Sequence, residues 1–377
     1  MAAALLVMTA PAVPARTPAP SSGSYIVQFA EGVHPGSAAR ARATRLGFHL
    51  DNVYRFALNG FSAHLSAPMV AALRADPRVR SVTPDGIAHL ADTQAGATWG
   101  IDRIDQPALP LSTSYTYAST GAGVTAYVID TGIHTSHVEF GGRAVDGIDK
   151  VDGLLPADDC MGHGTHVAAT IGGKTYGVAK GVKLVAVRVL DCAGSGSFTN
   201  IVAGIDWVVQ DHQAGVPAVA NMSLGGGAYA PVDLAVTNAI ADGIVFGVAA
   251  GNAANDACKF SPARTPNAIT VAATTNTDAR AAYSNYGSCV DINAPGTDIT
   301  SAWIGSDTAT NKISGTSMAT PHVVGAAARY LQTHQTATPQ QVRDALVNGA
   351  TSGNVSGLTK KPYNATPNKL LYLAPIA

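Results

Sequence analysis

Five short, almost uninterrupted apolar segments alternate with helical segments from Trp99 onward. A strand that is apolar at every position is covered on both faces, as in a parallel sheet. The predicted strands are Val124–Ile129, Leu184–Leu190, Ala218–Met222, Ile244–Ala249 and Ile269–Ala273. The predicted helices are Thr165–Ile171, Phe198–His212, Asp233–Asp242, Met318–Thr333 and Pro339–Val347. This alternation predicts an α/β fold with a doubly wound, mostly parallel sheet and helices on both faces. Ligand sites in such folds lie at the carboxyl ends of the strands.

A separate, shorter pattern precedes this region. Strands are predicted at Tyr25–Phe29, Gly60–Leu65 and Val79–Val82, and helices at Gly36–Leu46 and Ala67–Ala75. Their order predicts a small α+β module of the ferredoxin-like kind, which ends near a polar linker. We therefore divide the chain into residues 1–23, 24–91 and 92–377.

The first residues predict export. Met1–Ala15 is apolar and rich in alanine, and it is too short to span a bilayer, so it has the character of a secretory signal. A Pro/Ser linker, Thr17–Ser24, follows it. The net charge is −1 and 13% of residues are charged, which leaves no basic surface for nucleic acid or an anionic membrane. We expect a secreted monomer that binds neither.

The four cysteines agree with an exported protein. They are Cys160, Cys192, Cys258 and Cys289, and four cysteines allow three disulfide connectivities. The absence of a Cys-x-x-Cys pair argues against a zinc site.

Three residues that could cooperate in acyl transfer occur in the order Asp130, His163, Ser317. Each has a simpler explanation when it is taken alone: a turn aspartate, a structural histidine and a helix-capping serine. His163 and His166 could suggest a metal, but neither a glutamate nor a third ligand accompanies them. We expect Ser317 to open a helix whose first turn contains Pro321, where unpaired N–H groups can stabilise an oxyanion.

The sequence Gly315-x-Ser317-x-Ala319 also resembles a loosened nucleophile elbow of the α/β-hydrolases. That fold orders its triad as serine, acid and histidine. After Ser317 the chain has His322 and His334, and the only acid that follows them is Asp344. The histidines therefore come before the acid, and this order argues against the alternative.

Four peptides together resemble the signatures of subtilisin-like serine proteases. They are Asp130-Thr-Gly, Gly162-His-Gly-Thr-His166, Ala250-Gly-Asn252 and Gly315-Thr-Ser-Met-Ala-Thr-Pro-His322. The likeness extends from about Trp99 to the C-terminus and is of the proteinase K and aqualysin branch. The order of acid, histidine and serine is the one known for subtilisin.

The resemblance assigns roles to individual residues. Ser317 would be the nucleophile, His163 the general base and acid, and Asp130 the residue that orients His163. Asn252 would donate its side-chain amide to the oxyanion beside the Ser317 N–H.

Two segments resemble those that pair with the substrate backbone in this family, and a third would line an apolar primary pocket. These substrate-binding residues are Gly194, Ser195, Gly196, Ser223, Leu224, Gly225, Ala250 and Gly251. The expected substrates are proteins and peptides, cut with broad specificity and a preference for apolar or aromatic residues before the scissile bond.

The resemblance further implies structural calcium, disulfides and an inhibitor. The Pro266 and Ala268 carbonyls with the Asp291 carboxylate would hold Ca²⁺. A second site near Asp102, Asp105 and Gln106 is weaker, because Ser112 and Ser114 stand where some relatives have carboxylate or amide groups. The implied disulfides are Cys160–Cys192 and Cys258–Cys289.

The 24–91 module resembles the propeptide that chaperones and inhibits these enzymes. Its last residues, about Ala88–Ala91, would fill the active site until they are cut, so we expect a self-processing serine endopeptidase zymogen. Two rivals are an inactive subtilase-like binding protein, against which the intact triad and Asn252 argue, and an esterase or lipase.

Overall fold

The computed structural model describes residues 22–85 and 91–373. The chain folds as two compact units, Met1–Ala88 and His89–Ala377. Nearly all of the predicted leader, and most of the segment expected to fill the active site (Ala88–Ala91), lie outside the described residues.

The described part of the first unit contains two helices and four strands. In chain order they are β1 (Gly23–Phe29), α1 (Pro35–Leu46), β2 (Asn52–Tyr54), β3 (Gly60–Leu65), α2 (Ala67–Arg74) and β4 (Val79–Pro84). The strands pair antiparallel in the order β2-β3-β1-β4, which confirms the ferredoxin-like α+β prediction. Strand β2 was not predicted, because a strand of three partly exposed residues has too short a pattern to be recognised.

The strands of the second unit begin with β5 (Asp92–Ala95), β6 (Ser114–Tyr117), β7 (Thr125–Asp130), β8 (Ala144–Asp149), β9 (Lys183–Arg188), β10 (Ala218–Met222), β11 (Gly226–Gly227) and β12 (Val245–Ala249). They continue with β13 (Phe260–Ser261), β14 (Ile269–Thr274), β15 (Ile292–Pro295), β16 (Ile299–Ala302), β17 (Thr310–Ile313), β18 (Thr351–Ser352) and β19 (Lys369–Leu370). The α-helices are α3 (Trp99–Ile104), α4 (His163–Gly172), α5 (Phe198–Asp211), α6 (Ala230–Ala241), α7 (Thr316–Thr333) and α8 (Pro339–Gly349).

Nine strands form the central sheet, in the order β18-β19-β15-β14-β12-β10-β7-β9-β8. All neighbours are parallel except β18 and β19. Helices α4 and α7 share an apolar core on one side of the sheet, to which they contribute Val167 and Val323. Helices α5 and α6 share a core on the other side, where Ile205 packs with Val236. The predicted doubly wound sheet is confirmed.

The strand order reverses beside β7. The later strands β9 and β8 lie on one side of it, and β10, β12, β14 and β15 lie on the other. Such a reversal opens a crevice at the carboxyl ends of the strands, because the connections leave in opposite directions. Asp130 ends β7, Met222 ends β10 and Ala249 ends β12, so the segments that follow these strands meet at this crevice.

Four predicted helices begin later than the real ones, among them α1, which begins one residue earlier at Pro35, and α7, which begins two residues earlier at Thr316. Helix α4 begins at His163 rather than Thr165, and α6 begins at Ala230 rather than Asp233. Pro231 accounts for the difference at α6, since proline fits the first turn of a helix, where its missing N–H costs little. Among the helices of residues 22–85 and 91–373, none has the length and apolarity needed to cross a membrane.

Candidate active site

Asp130 and His163 form the first contact of the site. Asp130 is fully buried at the end of β7, and His163 is the first residue of α4. His163 Nδ1 lies 2.7 Å from Asp130 Oδ1. A carboxylate can only accept hydrogen bonds, so Nδ1 carries the proton and Nε2 is left with a free lone pair. His163 is therefore oriented to act as a base through Nε2.

Two opposing effects set the proton affinity of His163. Burial lowers its pKa, but the charge and hydrogen bond of Asp130, together with the charge of Asp159, outweigh burial. The pKa of His163 consequently lies above its ordinary value. The same carboxylates stabilise the imidazolium that forms when His163 accepts a proton.

Asp159, which the sequence analysis did not single out, joins the loops that carry the two residues. Its Oδ1 accepts from Thr131 Oγ1 and from the Gly162 N–H, both at 2.8 Å. Its Oδ2 accepts from the N–H and the hydroxyl of Thr165, at 2.9 and 2.7 Å. An aspartate just before a helix is a preferred partner for the unpaired N–H groups of its first turn, and this signal could have identified it.

Gly162 is required by its surroundings. Its φ is 105°, and a Cβ placed on it would lie 2.4 Å from the Trp303 ring. Only glycine allows this backbone conformation and this approach together. Gly162 therefore determines where α4 begins, and with it the position of His163.

Ser317 is the second residue of α7. Its hydroxyl donates to the Ser223 carbonyl at 3.0 Å, and within residues 22–85 and 91–373 no hydrogen bond joins it to His163. The Ser223 carbonyl belongs to the segment after β10, so the serine hydroxyl is held on one of the two predicted substrate segments. To donate to His163, the Ser317 hydroxyl has to leave the Ser223 carbonyl, and catalytic hydrogen bonds often tighten only when substrate is bound.

Pro321 lies inside α7 and not in its first turn, so that prediction was wrong. The helix begins at Thr316, which places the proline in the second turn, where an N–H would normally donate to the Ser317 carbonyl. The Ser223 hydroxyl donates to that carbonyl instead, at 2.8 Å. A side chain from another segment thus takes the acceptor that the proline leaves unpaired.

Asn252 is oriented by Thr316. Its Oδ1 accepts from the Thr316 N–H at 2.8 Å and from the Thr316 hydroxyl at 2.9 Å. Because the carbonyl end of the amide is held, Nδ2 is directed away from Thr316. A Cβ placed on Gly315 would lie 3.4 Å from Asn252 Nδ2 and 3.6 Å from the Ser317 nitrogen. The two donors therefore border one space, which Gly315 keeps open, and Thr316 is a second residue that the sequence analysis missed.

A cavity of about 620 Å³ adjoins these groups. Its lining includes all eight predicted substrate-binding residues together with His163, Asn252 and Ser317. Asp130 lies behind His163 and does not line the cavity. Phe198, at the end of the first predicted substrate segment, also contributes, as do apolar side chains not singled out from the sequence, namely Met161, Leu190, Ile201, Phe260 and Ala263. The cavity wall is largely apolar, with the polar groups gathered near Ser317.

The residues proposed for calcium lie away from this cavity. Asp291 Oδ2 accepts from the Thr270 N–H at 2.8 Å, and its Oδ1 accepts from the Arg343 guanidinium. Burial raises the pKa of Asp291, against the opposing effects of that N–H and of Arg343. In the described residues, no three His, Cys, Asp or Glu side chains form a metal-binding group. A carboxylate and two carbonyls nevertheless suit calcium, which prefers oxygen ligands.

At the weaker second site, the Asp102 carboxylate is bonded to protein donors, while Asp105 Oδ1 is buried without a hydrogen-bond partner. Asp102 Oδ1 accepts from the Ser112 hydroxyl at 2.8 Å, and Oδ2 accepts from the Thr113 N–H at 2.7 Å. Gln106 Nε2 donates to the carbonyls of Ala108 and Pro110.

Two disulfides join the cysteines, Cys160 to Cys192 and Cys258 to Cys289. This pairing is the one implied by the resemblance. The first disulfide lies between the loop that precedes α4 and the loop that precedes α5, and so connects the His163 segment to a predicted substrate segment.

Comparison with known families matches both parts of the chain. Residues 121–366 match the Subtilase family, and residues 24–91 match the Peptidase inhibitor I9 family.

Similar proteins and structures agree with these families. The extracellular serine proteinase of Thermus sp. is 57% identical over 326 residues, which is 86% of this chain and 78% of that protein. The alkaline serine exoprotease A of Vibrio alginolyticus is 51% identical, over 86% of this chain and 60% of that protein. A crystal structure of a cold-adapted subtilisin-like serine proteinase has a TM-score of 0.71 and 53% identity, covering 74% of this chain and 99% of the other.

Proposed function

The chain belongs to the subtilase family of serine proteases, and we propose that Asp130, His163, Ser317 and Asn252 carry out its reaction. It is a secreted serine endopeptidase made as a zymogen with an I9-type propeptide. The observation that carries the proposal is the His163–Asp130 contact of 2.7 Å at the same cavity as Ser317.

The reaction begins with proton transfer from Ser317. A substrate carbonyl enters the cavity, the Ser317 hydroxyl turns to His163 Nε2, and His163 takes its proton as Oγ attacks the carbonyl carbon. Asp130 keeps the proton of Nδ1 in place and stabilises the imidazolium. His163 then gives the proton to the leaving amine, and the acyl group stays on Ser317.

The oxyanion forms in the space kept open by Gly315. Asn252 Nδ2 and the Ser317 N–H donate to it, aided by the positive end of the α7 dipole. Water, activated by His163, attacks the acyl-enzyme in the second half of the reaction and releases the acid product.

Substrate binding follows from the two segments that line the cavity. Backbone groups of Gly194–Gly196 and Ser223–Gly225 pair with an extended peptide, which gives affinity with little demand on its side chains. The apolar wall receives the side chain before the scissile bond. We therefore propose broad specificity with an apolar preference, in a monomer that takes protein substrates and is inhibited by its own propeptide.

Replacing Asn252 with alanine should lower kcat by about 10²- to 10³-fold and change KM little, because the amide acts on the oxyanion more than on the bound substrate. Subtilisin itself is the source of this magnitude. Steady-state kinetics on a peptide anilide would measure the effect. The control is Asn238→Ala on the exposed side of α6, which should retain full activity. A rise in KM with unchanged kcat would assign Asn252 to substrate binding instead.

We propose that Pro266, Ala268 and Asp291 hold a structural calcium ion. Asn267, between the Pro266 and Ala268 carbonyls in the chain, has a positive φ of 68°, which turns the backbone there. Arg343 is a competing cation at the same carboxylate. Calcium at this site stabilises the fold and takes no part in the reaction.

The mature enzyme should have a higher Tm in calcium than in EDTA, since an ion that binds only the native state stabilises it by about 2.7 kcal/mol at 100 times its Kd. Asp291→Asn should abolish this difference in Tm. Asp344→Asn, which alters the other carboxylate near Arg343, should retain it. Thermal unfolding of all three proteins measures this. A difference that persists in Asp291→Asn would place the ion elsewhere.

A further inference from the structure

Pro321 creates a defect in α7 beside the nucleophile. An α-helix pairs each carbonyl with the N–H four residues later, and the Ser317 carbonyl has no such partner because proline lacks the N–H. The surroundings of the defect are buried, since Thr320, Pro321 and His322 all lie in the core, although Ser317 itself is partly exposed. An unpaired carbonyl in this position would be costly.

The Ser223 hydroxyl takes the place of the missing N–H donor, and its surroundings determine where its proton is directed. Ser223 Oγ lies 2.8 Å from the Ser317 carbonyl and 2.8 Å from Asn221 Nδ2. The Asn221 amide is a donor, so the hydroxyl accepts there and must direct its single proton to the Ser317 carbonyl. Asn221 is fully buried in β10, and β10 pairs with β7 on one side and β12 on the other.

The same two serines are joined a second time. The Ser317 hydroxyl donates to the Ser223 carbonyl at 3.0 Å, so the residues exchange two hydrogen bonds across 94 positions of sequence. One bond uses the hydroxyl of Ser317 and breaks when that hydroxyl turns to His163. The bond from Ser223 to the Ser317 carbonyl can stay intact throughout the reaction.

We propose that Ser223 is a positioning residue for the nucleophile, and that its hydroxyl replaces the N–H donor that Pro321 lacks. This inference rests on the proposed role of Ser317. The Ser317 carbonyl fixes ψ of Ser317, and ψ sets the direction of the Cα–Cβ bond that carries the attacking oxygen. Asn221, Ser223 and the Ser317 carbonyl thus tie the nucleophile to the rigid centre of the sheet.

Ser223→Ala should lower kcat by about ten- to hundredfold, since the Ser317 carbonyl loses its partner and the nucleophile loses its fixed orientation. KM should change little, because the Ser223 backbone, which belongs to the segment proposed to pair with the substrate, is retained. A residue that only bound substrate would raise KM instead. Ser301→Ala is the matched control, because it also removes a buried hydroxyl, one that bonds Thr170 and lies outside the cavity.

A double-mutant cycle with Pro321→Ala provides the deciding test. Alanine at position 321 supplies the missing N–H, so removing the Ser223 hydroxyl in that background should change kcat by less than about threefold. The comparison is made within each background, so any effect of Pro321→Ala alone cancels. Rates are expressed per active site titrated with an irreversible phosphonate, so that misfolded protein does not count.

An equal loss from Ser223→Ala in both backgrounds, or a change in KM alone, would overturn the inference. The proposed function is tested separately by Ser317→Ala. If that variant keeps its activity, the nucleophile assignment fails; if it is inactive while the cycle is additive, only the positioning role of Ser223 fails.

Discussion

Ser317→Ala is expected to reduce kcat for peptide hydrolysis by about 10⁶-fold, the magnitude that loss of the nucleophile has in subtilisin, a member of the same family. The reason is that without Oγ no acyl-enzyme forms, and the imidazole of His163 has no proton to accept. The oxyanion donors Asn252 and the residue 317 N–H stay in place, so a small rate above that of uncatalysed hydrolysis should persist. A fluorogenic peptide assay measures both quantities.

The same variant tests self-processing. If the chain cuts its own precursor, Ser317→Ala should accumulate as the full precursor, and N-terminal sequencing should find no cut near residue 91. Ser356→Ala, an exposed serine distant from the cavity, is the matched control and should mature normally. Maturation of purified Ser317→Ala protein at the normal rate would show that another nucleophile cuts the chain.

Asp130→Asn should reduce kcat by about 10⁴-fold, the loss seen when the triad carboxylate of another serine protease is made an amide. The amide is nearly isosteric, so the contact of 2.7 Å with His163 Nδ1 can form. However, an amide can donate to Nδ1, which would place the histidine proton on Nε2 and leave no base for Ser317.

The pH dependence of this variant follows from the opposing effects on His163. Activity needs neutral His163, and Asp130 raises its pKa above 6.5, so the wild-type enzyme should lose activity as pH falls through that raised pKa. In Asp130→Asn the negative charge that raises the pKa of His163 is removed, so the lowering of that pKa by burial is less opposed. The acid limb of kcat/KM should therefore move to lower pH. Asp206→Asn on the exposed side of α5 is the control, and an unmoved acid limb would contradict the assigned coupling.

The sequence predicted the parts of the site that depend on local pattern. The apolar strands marked where β7, β10 and β12 end, and the crevice at these ends holds Asp130, the Ser223 segment and the segment of Asn252. The resemblance supplied the roles of the individual residues, which no periodicity could assign.

Contacts between distant segments were beyond the sequence analysis. Asp159 bonds to Thr131 across 28 positions, and Thr316 orients Asn252 across 64. The local pattern marks each of them as a polar residue beside a helix start, but it does not show which distant residue each one contacts. Pro321 was misplaced for a related reason, since the exact start of α7 decides whether a proline lies in the first turn, and helix ends are set by capping contacts rather than by apolar spacing.

The strand order of the central sheet determines when the active site is assembled during folding. Strand β7, which carries Asp130, comes early in the chain but lies inside the sheet, between β9 and β10. Its neighbours and Ser317 are synthesised later, and closing such long loops is slow because their entropy must be lost before the contacts form. The catalytic groups therefore come together only when the sheet is nearly complete. A partly folded chain has no assembled triad and cannot digest other unfolded chains around it.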